Sequence, residues 1–112
     1  MKQVIENLIH HYATVTNGES ALFRENLLQI CEIHGVSEST FSNSFARAVA
    51  ERFSSGGIDA DRASFAMDDL QGASDYWLRG MALAIFDALE YRESSPADIR
   101  ELLDRGAAEN AG

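Results

Sequence analysis

The sequence predicts an all-α protein: a compact bundle of five or six helices with a helix-turn-helix-like N-terminal half. Three observations carry this. Apolar residues recur at three- and four-residue steps through most of the chain, the spacing of one face of a helix. No segment alternates apolar and polar residues for long enough to make a strand. Helix stops and starts (Asn17-Gly18, Gly35-Val36-Ser37, Ser54-Ser55-Gly56-Gly57, Ser95-Pro96) fall between the periodic segments.

The first helix is predicted over residues 2–16, where Val4, Ile5, Leu8, Ile9, Tyr12 and Val15 form one apolar stripe before Asn17-Gly18 ends it. A second runs from a Ser20 cap to His34, with Leu22, Phe23, Leu27, Ile30, Cys31 and Ile33 inward. Gly35 suits a left-handed stop, Val36 points back inward, and Ser37 caps a third helix burying Phe41, Phe45, Ala48, Val49 and Phe53. After the glycine-rich break, Asp59 or Asp61 caps a short helix carrying Ala63, Phe65, Ala66 and Met67.

The most hydrophobic helix is expected over residues 73–92, since Asp87 alone is polar between Gly80 and Leu89. Trp77, Met81, Ala84, Ile85 and Ala88 have core spacing there, and Gly80, Ala84 and Ala88 make a small-residue line that admits a close neighbour. Asp87 itself is expected at the edge of the core. Ser95 caps the last helix with Pro96 in its first turn; Ile99, Leu102 and Leu103 dock it, and Gly106 stops it.

At 112 residues, 46% apolar and 24% charged, the chain reads as one ordered domain over 1–112. Within it, 1–53 forms a three-helix unit and 58–106 an acidic helical half. No apolar run reaches membrane-spanning length, and MKQVIENLIHHY lacks the pattern of a signal peptide, so a cytoplasmic protein with no membrane association is expected. Cys31 has no cysteine partner and reads as a small core residue.

The formal charge is −9. Residues 1–55 hold four basic and six acidic groups, whereas residues 56–112 hold five and twelve. This asymmetry frames two functional expectations.

The first rests on residues 30–45, ICEIHGVSESTFSNSF, written like the turn and second helix of a helix-turn-helix. Its GVSxxTF core, followed by Phe45, resembles the DNA-binding region of the tetracycline-repressor family. Gly35, Val36, Ser37, Thr40, Phe41 and Phe45 match, while Ser42 and Ser44 stand where that family usually carries aromatic or histidine side chains. The resemblance implies a small transcriptional regulator that reads double-stranded DNA with Ser37, Ser39, Ser42 and Asn43, with Arg47 and Arg52 on phosphates. Dimerisation is expected through the 73–92 helix.

The second expectation starts from the acidic half. An acidic all-α module, acting as an immunity protein, antitoxin or inhibitor, would capture a basic protein through Asp68, Asp69, Asp75, Tyr76, Glu90, Tyr91 and Glu93.

No nucleophile-base-acid order, phosphate-cradling glycine loop or nucleophile elbow appears, so an enzyme is not expected. Adjacent His10 and His11 diverge around a helix, Cys31 and His34 supply only two ligands, and Asp59 with Asp61 lacks the rest of a calcium loop. No metal and no cofactor is expected.

Overall fold

A computed structural model describes residues 1–14 and 18–111, with side chains through Gly106. Its described residues form six helices: α1 (Lys2–Thr14), α2 (Arg24–His34), α3 (Glu38–Ser54), α4 (Ala60–Ala73), α5 (Gly80–Glu90) and α6 (Pro96–Ala111). They contain no strand. The expected last turn of the first helix, with Val15, and the stop at Asn17 lie outside the described residues.

The organising element is α3, which packs against each of the other five helices and most extensively against α5 and α6. Its buried residues are Phe41, Ser42, Phe45, Ala46, Val49, Ala50 and Phe53. They occupy two adjacent rows, a large aromatic and aliphatic row beside a row of Ser and Ala. The small row lets neighbouring backbones approach, while the aromatic row fills the space beneath them. Phe41 stacks on Phe45 with centroids 6.0 Å apart, and Tyr12 of α1 meets Phe45 edge-on at 6.4 Å.

The α2–α3 turn forms as its sequence requires. Gly35 has φ +64°, its N–H reaches the Glu32 carbonyl, and the Val36 N–H reaches the Cys31 carbonyl at 3.0 Å. The Ser37 hydroxyl then accepts from the Thr40 N–H at 3.0 Å and starts α3. Burial, followed by the nearby Glu38 charge, raises the pKa of the Cys31 thiol and keeps it a packing group.

Four expectations are corrected. Ser20 does not cap α2: that helix starts three residues later, after Phe23, and the Ser20 hydroxyl donates to Asp69 at 3.1 Å. Phe23 and Ile33 point outward, 57% and 77% exposed, because the shorter α2 turns only Leu27 and Cys31 fully into the core.

The expected helix over 73–92 is broken. α4 ends at Ala73, a connection covers residues 74–79, and α5 begins at Gly80. Asp75 and Tyr76 adopt left-handed conformations, and the Tyr76 N–H closes on the Gln71 carbonyl at 2.9 Å, a stop that the apolar pattern conceals. Trp77 consequently leaves the core and is 65% exposed, while Leu78 turns inward. Finally, α6 runs through Gly106 to Ala111. Gly106 is a point of close approach: a Cβ there would overlap Met81 Cε of α5.

A polar anchor joins the two halves. Tyr12 donates to Asp69 Oδ2 at 2.5 Å and accepts from the N–H groups of Ala21 and Leu22 at 3.2 and 2.9 Å. Desolvation, with the hydrogen bond to Asp69 second, pushes the Tyr12 phenol well above its ordinary pKa. None of the helices among the described residues is long and apolar enough to cross a membrane.

Candidate functional site

The residues expected to read DNA do not form one outward row. Ser37 and Ser39 are exposed at the start of α3, but Ser42 is only 5% exposed because α3 lies at the centre of the bundle. Asn43 Oδ1 accepts from the Ala82 N–H at 2.9 Å. It supplies the N-terminal cap that Arg79, which leads into α5, does not provide with its own side chain. Asn43 can do so because its short side chain lets the start of α5 come close to α3.

The nearby cations have internal duties. Arg52 pairs with Glu6 of α1 at 3.1 Å. Arg24 pairs with Glu38 at 3.0 Å and also donates to the Ala73 carbonyl, tying α2 to α3 and to the end of α4. Arg47 is half-buried and borders the space between α3, α5 and α6. The start of α3 therefore presents Ser37, Ser39 and Thr40 beside a neutralised Arg24–Glu38 pair, without a row of free cations.

The acidic and aromatic residues separate into three settings. Asp69 is structural, held by Tyr12 and Ser20. Asp75 and Tyr76 lie on the α4–α5 connection, with Tyr76 74% exposed. Trp77 follows, with the Arg79 guanidinium 5.0 Å from its ring centre.

The third setting lies where α4 meets the C-terminal end of α5. Glu90 accepts from the Ser64 hydroxyl and shares a hydrogen bond with Asp68. Desolvation, then the hydrogen bond and negative charge of Glu90, with Asp69 contributing, raises the Asp68 pKa to about 7. Tyr91 is 75% exposed, its ring seated edge-on against Phe86 with centroids 6.1 Å apart. Glu93, exposed and left-handed at φ +46°, follows in the bend after α5. Asp87 sits at the core edge and pairs with Arg92 at 3.6 Å. No ion pair among the described residues involves Asp68, Glu90 or Glu93.

The sequence singles out Tyr91, Asp68 and Glu90 as candidates but not Ser64, whose hydroxyl holds Glu90 from another helix. It also placed Trp77 inside. The left-handed pair before Trp77 carries no glycine, so no residue type announced the break. The helix expected to dimerise buries Ala82, Ile85, Phe86, Ala88 and Leu89 within its own bundle and leaves Leu83 as its exposed large apolar residue.

These features define an all-α bundle with an acidic, aromatic-bearing end. Comparison with protein-family models, curated proteins and solved structures finds no match to the chain.

Proposed function

We propose that the chain is a binding module for a basic protein, engaged at the end of α5 through Tyr91, Asp68, Glu90 and Glu93. The observation that carries this reading is that Ser64 holds Glu90 against α4, one helical turn from Asp68, next to a 75% exposed Tyr91. Two like charges held together by helix packing repel, and a lysine or arginine from a partner relieves that repulsion while releasing the shared proton. Tyr91, braced by Phe86, offers a rigid amphipathic ring of the kind that anchors protein interfaces. An inhibitor, immunity protein or antitoxin opposing a cationic enzyme fits this chemistry.

The DNA-reading alternative rests on the Gly35 turn and on Ser37 and Ser39, and one titration separates the two. Amide spectra of the full chain are followed against an arginine-rich peptide and, separately, a short DNA duplex. The peptide is expected to shift residues 64–68 and 87–93, with affinity that falls as salt rises through about 150 mM. Combined Asp68→Asn and Glu90→Gln substitutions are expected to weaken it about tenfold. Glu25→Gln and Glu32→Gln, exposed acids elsewhere, leave it unchanged. Duplex binding centred on Ser37, Ser39 and Thr40, with no peptide response at Tyr91, overturns the proposal.

A further inference from the structure

A cleft of about 780 Å³ opens between α3, α5 and α6. That volume lies within the range of about 300–1,000 Å³ usual for small-molecule sites. Its charge runs against that of the chain. Among the described residues, Arg47 and Arg105 line it and no carboxylate does, although the protein as a whole carries −9.

Arg47 is unlike its fellows. Among the described residues, each other arginine pairs with a carboxylate or, for Arg79, lies over the Trp77 ring. Arg47 has neither, yet it is half-buried. A partly desolvated guanidinium with no carboxylate in ion-pair reach is an unfavourable arrangement that an anion corrects. Arg105, on α6, gives one nitrogen to Glu101 and keeps other donors of its planar fork.

The remaining lining is divided by chemistry. Ser44 adds a hydroxyl on the α3 wall, whereas Met81, Ala84 and Leu102 provide an apolar wall from α5 and α6. Gly106 lets the Met81 side chain lie against α6 at this end of the cleft, where a Cβ would overlap Met81 Cε. A single ligand that satisfies both walls needs an anionic head and a short apolar body.

We propose that this cleft binds a small amphipathic carboxylic acid, its carboxylate against Arg47 and Arg105 and its apolar body on Met81, Ala84 and Leu102. The cleft uses the first half of α5 with α3 and α6, away from the Tyr91 surface at the C-terminal end of α5, and stands independently of the function proposed there. It gives Arg47 a small-molecule role in place of the DNA-phosphate role expected from the sequence.

Octanoate is the probe, with octanol and inorganic phosphate as its two halves, titrated into the full chain while amide spectra are recorded. Octanoate is expected to bind with Kd below about 1 mM and to move residues 43–47, 81–84 and 102–106. Octanol and phosphate are each expected to bind at least about tenfold more weakly, because each satisfies one wall. Arg47→Gln is expected to weaken octanoate about tenfold, with its thermal melt confirming the fold. Ala84→Leu, which fills the apolar wall and leaves both arginines, is expected to do the same. Phosphate binding as tightly as octanoate overturns the amphipathic assignment. Equal octanol binding, or an unchanged affinity in Arg47→Gln, overturns the anion site.

Discussion

Replacing Tyr12 with phenylalanine removes one oxygen from the point where α1, the α1–α2 connection and α4 are tied together. The hydroxyl donates to Asp69 at 2.5 Å and accepts from the N–H groups of Ala21 and Leu22. Phenylalanine preserves the ring packing on Phe45 and Phe65, so the loss is confined to these three bonds. Asp69 keeps Ser20 as a partner and is half-buried, which limits its share. The bond to the Leu22 N–H is buried, and an unsatisfied buried donor costs about 1–3 kcal/mol. With a smaller contribution from Asp69 and Ala21, the expected destabilisation is about 2–3 kcal/mol.

Urea unfolding followed by circular dichroism reads this directly. With a slope of about 1–1.5 kcal/mol/M for a chain of this size, the midpoint is expected to fall by about 2 M at unchanged slope. The Tyr12→Phe and Asp69→Asn effects are expected to be strongly non-additive, since they share one bond. A midpoint shift below about 0.4 M refutes the reasoning, as it makes the three bonds no better than those to water.

Further expectations concern the other polar contacts. Asn43→Ala removes the α5 cap contributed by α3 and is expected to cost about 1 kcal/mol in the same assay. Gly35→Ala meets no atom within 4 Å but must hold a left-handed φ of +64°, so a loss of about 1 kcal/mol from backbone strain alone is expected. For Asp68, the folded chain favours the protonated form up to about pH 7, whereas an unfolded aspartate ionises near about 3.9. Its stabilising contribution is therefore complete below that lower value and is lost as pH rises through about 7. Asp68→Asn is expected to flatten this fall, and parallel wild-type and variant melting profiles over that window would contradict it.

Much of the fold was legible because its signals are local. The Gly35 stop, the Ser37 cap and the spacing of Phe41, Phe45, Val49 and Phe53 each act within a turn or two of helix, where residue type and period decide the outcome. The α4–α5 break was not legible. Its left-handed residues are Asp75 and Tyr76, and the apolar period runs across them, so the expected helix carried Trp77 inward. Asp69 could not be distinguished from Asp68 by type, yet Tyr12 and Ser20 make one structural while Glu90 makes the other a strained surface acid.

By itself the sequence determined helix content, the α2–α3 turn and most of the core, through propensities and periods that belong to neighbouring residues. Only the tertiary structure decided what Ser42, Asn43 and Arg47 do. Their short or flexible polar side chains suit a DNA surface and a helix contact equally well. Packing α3 beneath α5 and α6 made Ser42 a filler, Asn43 a cap for another helix and Arg47 the unpaired charge of a cleft. That difference depends on which helix covers which face, a property of contacts distant in sequence.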